Sequence, residues 1–115
     1  MFDSLTTFDS LPIPAGICEI DGTLVAINAA SVRLFGRPAA QVVGKKAWDF
    51  APGAEHIWAD LVASARRDGS FRGEISIASP NAPVHVHYVV AIREHAGRTF
   101  VVIFAFELPD QPTAR

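Results

Sequence analysis

The sequence AGICEIDGTLVAINAASVRLFG, residues 15–36, decides the fold of this chain. Two short apolar runs, residues 17–20 and 24–27, flank the pair Asp21-Gly22. An Asp-Gly pair between two strand-like runs predicts a β-hairpin, because glycine readily adopts the positive φ that a tight turn needs. The stretch therefore opens with two short antiparallel strands.

A short helix is predicted directly after this hairpin. Asn28 follows the second run, and its side-chain oxygen can accept a free N–H of the first helical turn. Residues 29–35 then form two turns, and Gly36 can end them in the left-handed conformation. The order is therefore strand, tight turn, strand and capped helix.

Length, composition and charge narrow the class of protein. The chain has 115 residues, which is enough for one domain with a hydrophobic core and too few for two. Residues of hydrophobic type make up 50% and charged ones 19%, so a globular domain is expected. The net charge of -2 gives no electrostatic reason to expect a nucleic acid or an anionic membrane as a partner. The longest apolar run, residues 100–106, is shorter than a membrane span of ~20 residues, and the single Cys18 fits a cytoplasmic location.

The remainder of the chain predicts one longer helix and three strands. In residues 54–68, Ile57, Leu61 and Ala65 repeat every four residues and form an apolar stripe. The strands are predicted at residues 71–78, 84–93 and 99–106. The last strand is apolar on both faces, which predicts a central position, whereas the first alternates with polar residues and belongs nearer an edge.

This order of motifs resembles a PAS domain, the small sensory module of bacterial and eukaryotic signalling proteins. The residues that carry the resemblance are Pro14, Gly16, Ile17, Asp21, Leu24, Asn28, Ala30, Leu34, Phe35, Gly36, Val43, Gly44 and Lys45. The resemblance implies an α+β fold, in which a five-stranded antiparallel sheet of order 2-1-5-4-3 has short helices and one longer helix over one face. The strand patterns agree with that order, because they place the last strand in the middle.

The chain divides into three segments on this reading. Residues 1–11 are expected to form an N-terminal helical extension, and residues 12–108 the PAS domain. Residues 109–115 include Pro109 and Pro112, which discourage a helix, so a flexible tail is expected. Either the protein acts alone through association, or it is the N-terminal sensor of a longer chain.

The resemblance also implies a ligand site between the inner face of the sheet and the helices. The predicted lining is mostly large and apolar: Val25, Ile27, Leu34, Phe35, Trp48, Ile57, Leu61, Ile75, Ile77, Tyr88, Val90, Val102 and Phe104. Tyr88 and Trp48 each carry a polar group that needs a partner when buried, so they are the first candidates to orient a ligand. The alternative is that these side chains fill the space completely and leave no pocket.

Self-association is the second expectation. Phe2, Leu5 and Phe8 recur at every third position, close to one face of a helix that either covers its own domain or dimerises. Val101 and Ile103 are assigned to the sheet face away from the helices, where an apolar surface needs a cover. The sequence therefore predicts a homodimer with contacts from these residues.

Three histidines are weak candidates for a haem or metal site. Haem-binding PAS domains use a histidine on the long helix, where His56 lies. At about 100° per residue, however, His56 falls opposite the apolar stripe and should face water. His85 and His87 point to the same side of a strand, a spacing that metals can use, but no third ligand follows from a motif. We therefore expect no cofactor, and a haem or metal sensor is an alternative.

The resemblance implies signalling and not catalysis, and the sequence contains no G-x-S-x-G nucleophile motif. The predicted function is a non-catalytic cytoplasmic module that binds a small apolar or aromatic ligand, dimerises, or does both. Its partners would be a second copy of the chain, the ligand, and an effector protein or domain. A ligand-free structural dimerisation domain is the first alternative.

Overall fold

The computed structural model of the chain describes residues 4–80 and 82–108, with residues 4–6 described only by their backbone. Phe2, the side chain of Leu5 and the predicted tail, residues 109–115, therefore lie outside the described residues.

Within the described residues, eight helices and strands follow one another in the order that the sequence predicts. They are α1 (Ser4–Ser10), β1 (Ala15–Glu19), β2 (Leu24–Ile27), α2 (Ala29–Phe35), α3 (Ala54–Asp68), β3 (Phe71–Ile77), β4 (Val84–His95) and β5 (Arg98–Glu107). Short 3₁₀ turns at Ala39–Gln41 and Ala47–Asp49 connect α2 to α3. The β4–β5 hairpin is longer than predicted, because pairing continues to His95 and Arg98 at its tip.

The strands form one antiparallel sheet in the order β2-β1-β5-β4-β3, which confirms the predicted fold. Strand β5 is central because both of its faces are apolar and can be covered. Helix α3 packs against β3 and β4, and α2 packs against β1. The hydrophobic core consequently lies between these helices and one face of the sheet, which we call the inner face; the opposite side is the outer face.

A buried asparagine joins the beginning of the domain to α2. The Asn28 side chain is fully buried, and its Oδ1 accepts hydrogen bonds from the backbone N–H groups of Ala15 and Ser31, each at 3.0 Å. Its Nδ2 donates to the carbonyl oxygens of Phe8 at 3.1 Å and Ile13 at 2.9 Å. The predicted helix cap therefore also holds α1 and the start of β1 in place.

A bulge changes which residues of β2 face inward. Ile17 of β1 pairs with Ala26, but the next residue, Cys18, pairs with Leu24, so Val25 is an extra residue without a partner. Leu24 and Ile27 are consequently both buried, although simple alternation along the strand separates them.

The predicted faces of β5 are wrong. The prediction has Val101 and Ile103 outside and Val102 and Phe104 inside, whereas Val101 is fully buried in the inner core. Alternation separates the two faces of a strand that is apolar on both, but it does not say which face meets the helices. The hairpin decides this, because register fixes which residues of β4 and β5 stand side by side.

The β4–β5 turn consists of two residues with positive φ, Ala96 at 54° and Gly97 at 78°. This is the conformation of the tightest hairpins, and it pairs His95 with Arg98. Counting back from that pair places Ile103 opposite Val90, whose side chain is buried in the inner core.

Candidate functional site

A cavity of about 100 Å³ lies between the inner face of the sheet and the helices α2 and α3. Its walls are almost entirely apolar. The predicted residues that line it are Ile27, Leu34, Phe35, Ile57, Leu61, Ile75, Ile77, Tyr88 and Val90. An apolar space of this size is several times larger than a single water molecule needs.

Four residues of the predicted lining lie elsewhere. Val25 is the extra residue of the β2 bulge, and Val102 and Phe104 belong to the outer face of β5. Trp48 instead covers the β1–β2 turn: a Cβ built on Gly22 would lie 2.5 Å from its ring. The indole of Trp48 also meets that of Trp58 edge to face, with ring centroids 5.8 Å apart.

The predicted lining consists mostly of large side chains and omits part of the observed lining. The additional residues are Pro14, Ala15, Gly16, Leu24, Ser31, Ala47, Ala51, Ala54, Trp58, Val86, Ile103 and Ala105. Several of them are alanines, and a cavity forms where short side chains leave facing atoms too far apart for contact. The feature of the sequence that could have predicted this part of the lining is the spacing of Ala47, Ala51 and Ala54.

Polar side-chain groups in the walls are few, and most are already paired. The Ser31 hydroxyl donates to the carbonyl oxygen of Ala15 at 2.9 Å, and the Trp58 Nε1–H donates to that of Ile20 at 2.9 Å. The Tyr88 hydroxyl has no hydrogen-bond partner among the described residues. Burial raises the pKa of Tyr88 above its ordinary value of 10.0, so this group is a protonated donor at neutral pH.

The lining carries no charged side chain within the described part of the chain. It therefore offers no carboxylate, imidazole or amine for proton transfer near neutral pH. Cys18 is buried in the adjacent core, where burial raises its pKa to about 12 and keeps it as a thiol. The described side chains of the cavity therefore form apolar walls and not a catalytic set.

The candidate metal ligands lie on two different surfaces. His56 is exposed on α3, and no histidine lines the cavity within residues 4–80 and 82–108. His85 lies on the outer face, with Nε2 3.4 Å from Glu74 Oε1, and the ring of His87 is 6.4 Å from that of Phe106. The described residues include no group of three or more His, Cys, Asp or Glu side chains arranged to hold a metal ion.

The outer face is the second candidate site. Its apolar side chains are only partly buried: Ile17, Val89, Ala91, Phe100, Val102, Phe104 and Phe106. Phe106 is 40% exposed. Of the predicted dimer contacts, Val101 and Ile103 face the inner core and not this surface, and Phe8 is half-buried.

Among the described residues, no helix is both long and apolar enough to cross a lipid bilayer. The sequence profile described as "PAS fold" matches residues 8–108. No curated protein matches the sequence.

Solved structures with the same fold come from several signalling proteins. The PAS domain of an HTR-like protein from Haloarcula marismortui superposes with a TM-score of 0.79 at 18% identity, covering 90% of this chain and 87% of that one. The PAS domain of nitrogen regulation protein NR(II) from Vibrio parahaemolyticus has a TM-score of 0.74 at 11% identity, covering 94% and 100%.

A third similar structure is a PAS domain in complex with ethanol, from a LuxR-family transcriptional regulator of Burkholderia thailandensis. It has a TM-score of 0.78 at 16% identity and covers 93% of this chain and 98% of that one. The profile match spans nearly the whole chain, and the sheet order and helix positions agree with it. The chain therefore belongs to the PAS-fold family, the sensory domains of signalling proteins.

Proposed function

We propose that this domain senses a small apolar molecule that binds in the inner cavity, and that it has no catalytic activity of its own. The apolar cavity between α2, α3 and the sheet supports the proposal. The related Burkholderia thailandensis domain was solved with ethanol, a small uncharged molecule, which is consistent with a ligand of this kind here. Binding would be passed on to an effector protein or domain.

The volume of the cavity sets the free energy that a bound apolar molecule could recover. At about 24 cal/mol per Å³, an empty apolar cavity of this size destabilises the fold by roughly 2 kcal/mol. An apolar molecule that fills the space restores the missing contacts, and its binding stabilises the folded state in proportion to its concentration. A ligand of matching size would therefore raise the stability of the folded domain.

The test is native mass spectrometry of the protein purified from its own host, with an absorption spectrum of the same sample. We expect additional mass on the wild-type monomer that is released when the protein unfolds. Ala105→Leu fills the cavity and should remove that mass. Ala91→Leu is the matched control, because Ala91 lies on the outer face of the neighbouring strand, and it should retain the mass.

If the wild type and both variants carry no additional mass, the protein does not retain a ligand. That result would favour the ligand-free dimerisation domain. A Soret band would instead favour the haem alternative, for which His56 is badly placed.

We further propose that the outer face forms a homodimer. Its apolar side chains are partly exposed, and self-association would remove them from water at about 25 cal/mol per Å² of buried apolar area. Phe2, Leu5 and Phe8 of the N-terminal segment stay predicted dimer contacts, of which only the Phe8 side chain belongs to the described residues.

Sedimentation velocity of two charge variants tests the dimer. Phe106→Glu introduces a charge into the outer face at a side chain that is 40% exposed, so folding should tolerate the change. We expect it to shift the protein to monomer. Val43→Glu changes a side chain of matching exposure, 41%, outside the sheet and should leave the sedimentation coefficient unchanged. A wild-type monomer at high concentration would contradict the proposal.

A further inference from the structure

We infer that the free edge of β3 pairs with the same edge of a second copy of this chain, in an antiparallel register centred on Gly73. The two five-stranded sheets then join into one continuous sheet across a twofold axis. The inference uses neither the cavity nor the outer face, so it does not rest on the proposed function. The outer face of each copy stays accessible in such a pair.

The two edges of the sheet differ in how they are covered. At the β2 edge, the chain that follows α2 supplies backbone partners. The Leu24 N–H donates to the carbonyl oxygen of Lys45, and the Gly44 N–H donates to that of Leu24, each at 2.8 Å. Strand β3, at the other edge, forms backbone hydrogen bonds only with β4 within the described parts of the chain. Every second N–H and C=O of β3 consequently points away from the sheet without a backbone partner.

Strand β3 also lacks several features that protect an open edge. It has seven residues, none of them proline or lysine, and its pairing with β4 runs from Phe71 to Ile77 without a bulge. Strand β2, in contrast, has four residues and contains a bulge. A long and regular edge is a template on which another strand can pair.

The charges on β3 favour a second β3 as that strand. Arg72 and Glu74 are exposed and lie on the outer side of the sheet, two residues apart. In an antiparallel pair centred on Gly73, Arg72 of one copy faces Glu74 of the other, and symmetry repeats this contact. The same register brings Phe71 opposite Ile75 on the inner side, where both are partly buried. The strand is therefore complementary to itself in charge and in apolar contacts.

Other centres of symmetry lose this complementarity. A pair centred on Glu74 would match all seven residues of the strand, but it would place Glu74 opposite its own copy. A pair centred on Arg72 would match only residues 71–73 and place two arginines together. Like charges directly opposite each other destabilise an antiparallel pair. The charges consequently select the register, and the backbone hydrogen bonds hold it.

Both charged groups are available for a partner. Arg72 forms no ion pair or side-chain hydrogen bond with any residue in 4–80 and 82–108. Glu74 has one neighbour of opposite character there, since its Oε1 lies 3.4 Å from His85 Nε2. The second carboxylate oxygen of Glu74 is therefore left for the arginine of the other copy.

The centre of the register also carries an unpaired hydroxyl. Gly73 stands opposite Tyr88 of β4, and a Cβ built on Gly73 would lie 2.8 Å from the Tyr88 hydroxyl oxygen. This hydroxyl has no hydrogen-bond partner among the described residues, and it lies above the edge strand. The twofold axis brings the hydroxyl of the second copy to the same place, where one can donate to the other.

The experiment measures hydrogen exchange of the β3 backbone amides by NMR, using the full 115-residue chain at low and at high protein concentration. We expect every second amide of β3 to exchange about tenfold more slowly once about nine chains in ten are paired. A dimer formed through the outer face leaves these N–H groups free, so it does not produce this protection.

Charge reversals then test the register. Arg72→Glu and Glu74→Arg each place like charges opposite each other twice, and each should weaken the self-association roughly tenfold or more. An equimolar mixture of the two variants should regain the protection, because every cross-strand pair then joins an arginine to a glutamate. Lys45→Glu is the matched control, because Lys45 is exposed at the other edge of the sheet, and it should behave as the wild type.

Each outcome supports or overturns the pairing. If exchange of the β3 amides does not depend on protein concentration, the edge does not bind a second copy and the inference fails. If both charge reversals keep the protection, or if their mixture does not restore it, the register centred on Gly73 is wrong. Loss of the protection in Lys45→Glu would show that net charge, and not the contact between Arg72 and Glu74, controls the association.

Discussion

Replacement of Asn28 by alanine should destabilise this domain more than any single surface change, because one buried side chain joins three segments of the chain. The substitution removes two accepted and two donated hydrogen bonds. It leaves the N–H of Ala15 without its partner at a residue that is 1% exposed. Ser31 loses the bond of its backbone N–H and keeps the one that its hydroxyl donates to the carbonyl oxygen of Ala15.

The magnitude follows from these losses. An orphaned buried N–H costs roughly 1–3 kcal/mol, and loss of a helix cap costs about 1 kcal/mol. The two carbonyl oxygens that lose their donor add roughly another 1 kcal/mol together. We therefore expect a loss of roughly 3–5 kcal/mol, from a typical stability of about 5–15 kcal/mol. For a chain of this length, the melting temperature should fall by about 12–20 °C.

The assay is urea and thermal unfolding followed by circular dichroism. Asn28→Asp keeps the two acceptors but places a second oxygen against the carbonyl oxygens of Phe8 and Ile13 in a fully buried site, so it should also lose stability, and more at neutral pH than at a pH low enough to protonate the carboxylate. Gln41→Ala, at an exposed position of a 3₁₀ turn, should change stability by less than about 0.5 kcal/mol. Hydrogen exchange should show α1 losing protection in Asn28→Ala. A loss below about 1 kcal/mol would refute the reasoning that this network holds the segments together.

Three further predictions concern the hairpin turn and the buried thiol. Gly22→Ala should cost more than about 2 kcal/mol in urea unfolding, because a positive φ of 94° and a clash with Trp48 add together. Gly44→Ala, which has the same φ but no neighbour within 4 Å, should cost clearly less; equal losses would contradict the clash. Cys18, with its pKa raised to about 12, should resist alkylation by iodoacetamide at pH 8 until the protein unfolds, and rapid labelling of the folded protein would show that the site opens. The Asp21 carboxylate accepts a backbone N–H, which lowers its pKa from 3.8 to about 2, so its NMR titration midpoint should lie near pH 2. Its stabilising effect is complete above pH 3.8 and should disappear as the pH falls through about 2. A midpoint at 3.8 would contradict this hydrogen bond.

Local sequence determined the order of the elements and several of their ends. Asn28 caps α2 and Gly36 ends it with a φ of 69°, as the two residue types predict. Gly69 likewise ends α3. These features depend on hydrogen bonds within a few residues, so neighbouring residues are sufficient to specify them. The central position of β5 could also be predicted, because only a strand covered on both sides is apolar on both faces.

Three features depended on contacts between residues distant in sequence. The face of β5 that meets the helices is set by the register of its hairpin, which places Ile103 beside Val90. Val25 leaves the lining because a bulge in β2 appears only when β2 pairs with β1. The cavity exists because alanines such as Ala54 and Ala105 come together from separate elements. Sequence periodicity describes one element at a time, whereas register, bulges and cavities are properties of two or more elements in contact, and only the tertiary structure decides them.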